Sequence, residues 1–196
     1  MGIEIEYKLR AQSRAQLFSA YGRVCGCAQA GETRQIALHT RYFDTKAHDL
    51  ALRKWTLRIR DENGTQMLTF KTPGQHNRRG EWNLERSEAS PVPTEAELTA
   101  LVAAGAPAAL GQLADFSAVC GARFVRTCTV LTLDDGTKIE LAADCGELFG
   151  QTECVPFYEL ELELYGGSEA QLAALAAQAG LPEEPRSKAA RAFCLK

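Results

Sequence analysis

At least eight short stretches of period-two alternation, with few helical segments between them, predict a mainly β fold (α+β) arranged as an antiparallel barrel. Asn-Gly and Asp-Gly turns join two pairs of these strands into hairpins. Each strand also carries a polar row backed by an apolar row, and paired charges recur in both halves, so the barrel is expected to enclose a polar lumen.

In the opening MGIEIEYKLR, Glu4, Glu6 and Lys8 alternate with Ile3, Ile5, Tyr7 and Leu9, which reads as a strand. Ser13 caps a helix through roughly Cys25, with Ala15, Leu17, Phe18 and Tyr21 on its buried side and Gly22 weakening its end. RQIALHTRYFDT (34–45) is a second strand, and KAHDLALRK is a turn or short helix. WTLRIRDENGTQMLTFKT is a hairpin about Glu62-Asn63-Gly64. PGQHNRRG (73–80) is a basic, turn-rich loop, and GEWNLERS (80–87) is another strand. Thr94 and Glu97 form a capping box that opens a helix, continued by the Ala-rich stretch to about Leu113. FVRTCTVLTL, the Asp135-Gly136 turn and TKIELAAD make the second hairpin. PFYELELELYG (156–166) alternates cleanly, an amphipathic helix over 168–180 packs outside the barrel, and RSKAARAFCLK is a short terminal segment.

A length of 196 residues allows one domain, 1–196, with a substantial core. A net charge of −3 gives no global attraction to nucleic acid or an anionic membrane, so neither partner is expected and any anion site is a local cluster. No basic-then-apolar leader opens the sequence, and no apolar run approaches membrane-spanning length. Seven Cys, an odd number without CxxC spacing, argue against a disulfide framework or a zinc site. They predict reduced, mostly buried thiols in a cytoplasmic protein. His39, His48 and His76 lack ligand spacing and are expected on the surface or in loops.

The charged rows carry the functional content. Arg58 and Arg60 share one face of LRIR, and Lys71 lies opposite Phe70 in LTFK. Arg79, Glu81, Asn83 and Glu85 share another face, backed by Trp82 and Leu84. Glu140 pairs in this sense with Asp144, and Glu159 with Glu161 and Glu163. For any one strand, a solvated charged face is the default. Here, however, acids concentrate in the first and last strands and Arg and Lys in the middle ones, unlike the mixed charge of a solvated surface. Enclosed carboxylates repel unless a cation joins them, which suits a hard divalent ion, Mg²⁺ or Mn²⁺. Arg and Lys on the remaining walls suit a phosphate chain, and acids, metal and bases together are the chemistry of phosphoryl transfer.

EIEYK, YFDT followed by LRIR, LTFK, ELELEL and SKAAR occur in the order and spacing of the CYTH family of triphosphate tunnel metalloenzymes, which the whole chain resembles. The resemblance is greatest to bacterial CYTH proteins of the inorganic triphosphatase type. It implies a closed, eight-stranded antiparallel barrel whose charged interior forms a tunnel. It implies that Glu4 and Glu6 on one wall and Glu159 and Glu161 on another bind the metal, with Glu140 and Asp144 as further ligands, direct or through water. Lys8, Arg58, Arg60, Lys71, Arg79, Arg126 and Lys188 are then the phosphate grips, and Glu4, Glu6, Lys8 and Lys71 the catalytic set. Glu163 lies further along its strand, toward the tunnel mouth.

The implied reaction is hydrolysis of inorganic triphosphate to diphosphate and phosphate. Two positions depart from the family pattern: Lys46 follows YFDT where relatives often have Pro, and Cys128 stands where a basic residue is common. Relatives often carry a helical CHAD domain after this one, and the sequence stops near where it would start, as a stand-alone protein or an excised piece would. Class IV adenylyl cyclases and thiamine or nucleoside triphosphatases use the same tunnel, and the barrel motifs do not separate them. Trp55 or Trp82 stacking on a base would favour these, against the plainer role of packing on the apolar row. A non-enzymatic polyphosphate-binding module would have lost the carboxylates, which this chain retains. A lipocalin-like barrel would need an apolar lumen, which inward-facing charged rows contradict.

Overall fold

The structure, a computed structural model, describes residues 2–74, 77–87 and 90–195, so the expectation for His76 lies outside the described residues. The chain runs β1 (Gly2–Ala11), α1 (Arg14–Cys25), β2 (Gln29–Ala30), β3 (Arg34–Asp44), α2 (Asp49–Leu52), β4 (Thr56–Glu62), β5 (Thr65–Lys71) and β6 (Arg78–Glu85). There follow α3 (Glu95–Ala103), a 3₁₀ turn (Ala108–Gln112), β7 (Ser117–Thr132), β8 (Lys138–Phe149), β9 (Cys154–Gly166), α4 (Glu169–Gln178) and α5 (Lys188–Phe193). Eight strands close in the order β7-β3-β4-β5-β6-β1-β9-β8, with β8 pairing back onto β7, and every pairing is antiparallel. The two-residue β2 is an extra strand on β7.

The barrel is inside out relative to an ordinary half-buried sheet. Leu57, Ile59, Leu68, Phe70 and Trp82 point outward, where Leu98 and Leu101 of α3 and Leu110 of the 3₁₀ turn cover them. On the far side Leu9, Leu141, Leu160 and Leu162 point outward beneath Leu17 and Val24 of α1 and Leu172 and Leu175 of α4. An apolar row must leave water, so each uncovered outer face recruits a helix. Arg86, just beyond β6, ties α3 down through a buried pair with Glu97, Nε to Oε1 at 2.6 Å.

Period two tells which residues share a face, and the structure adds a third cluster on the inner one. Leu38, Tyr42, Cys120, Ala122, Phe124, Leu148 and Phe157 pack together with Ala192 of α5. Phe124 is two residues before Arg126 and Phe157 two before Glu159, so this apolar group shares the lumen with the charges and fills one part of it.

Several local expectations are corrected. β6 begins at Arg78, inside the stretch expected to be loop, because Arg78 and Arg79 pair with Ile5 and Glu4 of β1. The Ala-rich helix ends at Ala103: Gly105 takes φ +99°, and Pro107, without an N–H, starts a separate 3₁₀ turn. β7 and β8 extend well beyond the predicted hairpin, to Ser117 and Phe149, and the terminal RSKAARAFCLK contains α5, capped by Ser187. Ala15 is exposed, while Leu17, Ala20 and Val24 form the buried stripe of α1. All seven Cys are free thiols, but only Cys120 and Cys128 are buried; Cys25 and Cys145 are half-buried and Cys27, Cys154 and Cys194 exposed. His39 and His48 are exposed as expected, and Trp82 packs in the outer core.

Leu162 lies between Glu161 and Glu163 yet is fully buried on the outer face. Leu162→Ala is expected to destabilise the protein by about 2–5 kcal/mol in urea denaturation, the usual cost of a core truncation. An unchanged midpoint would mean that the outer face is not the core.

Candidate active site

Each charged row expected from alternation lies on the inner face of its strand. Of the thirteen predicted site residues, eleven line a cavity of about 260 Å³ inside the barrel. The other two, Asp144 and Glu159, are 0% exposed beneath its wall. An eight-stranded barrel is just wide enough for side chains or one small ligand, which is the scale of this cavity. At one end it shares Lys8, Tyr42, Thr56 and Lys71 with a wider vestibule of about 980 Å³.

The lumen charges form two groups. In the first, Lys71 Nζ donates to both oxygens of Glu4 at 2.7 and 2.8 Å and lies 3.1 Å from Glu81 Oε2. Arg79 Nε is 3.2 Å from Glu4 Oε2, and its Nη2 donates to Glu6. Lys8 Nζ is 3.8 Å from Glu6, and burial lowers the Lys8 ammonium despite Glu161 and Glu159. Burial would raise Glu81, but Lys71 and Arg58 outweigh it and hold that carboxyl down to about 2. Glu163 shows the opposite balance. Burial, reinforced by the charge of Glu4 and opposed by Lys71, raises it to about 7.

In the second group, Arg126 grips Asp144 with two bonds of 2.8 Å, reaches Glu140 at 3.6 Å and donates to Glu161. Lys188 Nζ lies 2.8 Å from Asp144 Oδ2 and 2.6 Å from Glu161 Oε1 and also donates to Glu159. Arg191 takes the other oxygen of Glu159. Three carboxylates therefore hold Lys188 protonated, its ammonium raised although burial opposes this. Of the adjacent β9 acids, burial pushes Glu159 up, while Lys188 and Arg126 hold Glu161 down against burial.

On the opposing wall, Arg60 pairs with Glu62 and is lowered to about 10 by burial and by Arg58, so it stays charged at neutral pH. Arg58 has no ion pair among the described residues, and its buried Nε has no hydrogen-bond partner. A half-buried guanidinium with an unpartnered Nε, facing a cavity, has the chemistry to accept an anion.

Of the six predicted metal ligands, Asp144, Glu159 and Glu161 offer oxygens within 4.8 Å of one another. Glu4 and Glu6 are engaged by Lys71 and Arg79 instead, and Glu140 by Arg126 and Tyr165, whose Oη donates to it at 2.6 Å. Three hard oxygen donors suit Mg²⁺ or Mn²⁺, and a cation, the Lys188 ammonium, already stands among them. Sequence reasoning missed Arg191, Tyr165 and Tyr42. The signal for Arg191 was its spacing of three from Lys188, which puts both on one side of a short helix.

The fold and lining define a class: a closed antiparallel barrel that carries its charge inside. The family model described as CYTH domain matches residues 2–193, and the chain belongs to that family. An inorganic triphosphatase of Haemophilus influenzae is 32% identical over 142 residues, which is 70% of this chain; the chain spans 38% of that protein's length. A Hippeastrum protein, described as an adenylyl cyclase candidate with dominant triphosphatase activity, superposes with TM-score 0.58. It shares 22% identity, over 97% of this chain and 94% of that one. A Pyrococcus horikoshii protein matches with TM-score 0.55 and 21% identity, over 96% and 97% of the two chains. At these identities the structural likeness is one of fold.

The raised carboxyl of Glu163 gives a pH signature. Between its ordinary 4.5 and about 7 the folded state holds a proton that the unfolded chain has lost, so stability falls as pH rises through that window. In metal-free protein, Glu163→Gln is expected to be more stable than wild type at pH 8, on the order of 1–3 kcal/mol by urea titration, the difference vanishing near pH 4. A variant less stable than wild type at pH 8 would contradict this assignment.

Proposed function

We propose that the lumen hydrolyses inorganic triphosphate to diphosphate and phosphate with a divalent metal, Mg²⁺ or Mn²⁺. The observation that carries this reading is Arg58: a half-buried cation without an ion pair among the described residues, its Nε unpartnered, facing a cavity lined by both carboxylates and basic side chains. About 260 Å³ lies below the usual range for drug-sized ligands and suits a short phosphate chain. The relative named above for this activity supports the same substrate.

Asp144, Glu159 and Glu161 would hold the metal, with Glu4, Glu6 and Glu140 as the other candidate ligands. When bound, it supplies charge neutralisation on phosphate oxygens. Arg58, Arg60, Lys8, Lys71, Arg79, Arg126 and Lys188 bind the chain in line and stabilise the charge that grows on the diphosphate leaving group. Water attacks the terminal phosphorus as the bridging P–O bond breaks. Glu163, titrating near neutrality, is suited to orient that water and accept its proton, as a base matched to the operating pH.

A second reading has its own observation. The vestibule is several times larger than the lumen and is lined partly by Trp55 and Phe193, so an organic triphosphate could leave its non-phosphate end there. Trp55 nonetheless packs edge-on to Phe70 at 5.3 Å, the packing role expected of it.

A phosphate-release screen with inorganic triphosphate, ATP and thiamine triphosphate, with and without divalent metal, separates these. The expected result is metal-dependent release from inorganic triphosphate; binding without release would identify a polyphosphate-binding module, and cyclic AMP from ATP a cyclase. Glu4→Gln with Glu6→Gln is expected to abolish turnover. Arg58→Ala is expected to lower kcat/KM roughly 10²–10³-fold, the usual loss on removing one transition-state donor. Activity surviving the double substitution would remove Glu4 and Glu6 from the metal and catalytic sets.

A further inference from the structure

Lys188 is better placed than a phosphate grip needs to be. Its Nζ donates to Glu159 and Glu161 and lies at ion-pair distance from a third carboxylate, that of Asp144. These are the same three residues whose oxygens lie within 4.8 Å of one another. The lysine is buried, two of the three acids are wholly so, and the rings of Phe124 and Phe157 lie 5.3 and 5.5 Å from the ammonium. A buried carboxylate group of this density needs an internal cation, and Lys188 is one.

We infer that Lys188 is the resident counter-cation of the Asp144–Glu159–Glu161 group, and that a divalent metal enters the group by displacing the Lys188 ammonium into the lumen. The inference rests on the metal-assisted reading above. The exclusion is steric and electrostatic. A metal ion held by the same three carboxylates would need the space among them that the ammonium now occupies, and two cations so close would repel strongly.

The lysine can leave without unseating its helix. Ala192 holds α5 against the apolar part of the lumen, and Arg191 keeps its own bond to Glu159. Arg126 remains on Asp144 through two bonds. The flexible four-carbon stem of Lys188 already borders the cavity where Arg58 faces inward. A phosphate chain there gives the released ammonium a new anionic partner. Metal and triphosphate therefore each favour the binding of the other, while metal alone must compete with a tethered lysine.

The test is Mn²⁺ binding to the full chain without any phosphate, read from the electron paramagnetic resonance signal of free Mn²⁺, for wild type and Lys188→Met. Removing a competing cation is expected to tighten Mn²⁺ binding at least about tenfold. Thermal melting gives the second readout: the variant melts lower than wild type without metal and recovers with Mn²⁺, whereas wild type gains little. Equal or weaker Mn²⁺ binding by the variant overturns the inference. So does a variant that stays unfolded or unrescued at saturating Mn²⁺, because Lys188 would then be a structural clamp that no metal replaces. Neither readout uses turnover, so an inactive wild type would remove the proposed reaction and leave the exchange to be judged on its own result.

Discussion

Buried charge must be neutralised where it lies, and the whole lumen is organised around that requirement. On one side Glu4, Glu6, Glu81 and Glu163 face Lys8, Lys71 and Arg79; on the other Glu140, Asp144, Glu159 and Glu161 face Arg126, Lys188 and Arg191. Arg58 and Arg60 on β4 add two further cations to the same lumen. Burial, reinforced by the neighbouring Glu4, is what leaves Glu163 holding a proton near neutrality. Turning these rows inward forces the apolar rows outward, which is why α1, α3 and α4 must cover the barrel's exterior. The ion pairs of Lys188 and Arg191 in turn anchor α5 inside the barrel wall.

The same constraint shapes how ligands enter. A metal alone would leave Lys and Arg side chains without partners, and a phosphate chain alone would do the same to the carboxylates. Together they satisfy both sets. Arg58 differs because, among the described residues, it has no ion pair to give up, so an anion reaching it would displace no carboxylate. The step from lumen to vestibule, at Lys8, Tyr42 and Lys71, is where a bare triphosphate and one carrying an organic group would begin to differ.

Much of this was legible in the sequence because a strand alternates with period two. That period put Arg58 with Arg60, and Glu159 with Glu161 and Glu163, on common faces, and the segregation of acids from bases argued that those faces were enclosed. Alternation does not say which strands become level with one another, since that depends on the stagger of the barrel. Hence Asp144 joining Glu159 and Glu161, while Glu4 and Glu6 engage Lys71 and Arg79, had to be found in three dimensions. The apolar part of the lumen was hidden for a related reason: Phe124 and Phe157 continue the rows of Arg126 and Glu159, and a row can change character along its strand. α5 was missed because six residues leave little helical periodicity, and its stability comes from the buried ion pairs and Ala192 rather than from propensity. The Ala-rich stretch misled in the other direction. Propensity favoured one helix, and Gly105 with Pro107 ended it.

The central claim, that the barrel's interior is where metal and phosphate meet, is tested most directly by diffraction. Crystals grown with Mn²⁺ and a slowly hydrolysed triphosphate analogue, measured at the manganese absorption edge, are predicted to give an anomalous peak inside the barrel. That peak should be bounded by oxygens of the β8 and β9 carboxylates, with phosphate density reaching Arg58. Manganese bound only on the outer surface, with the lumen ion pairs intact, would contradict the account.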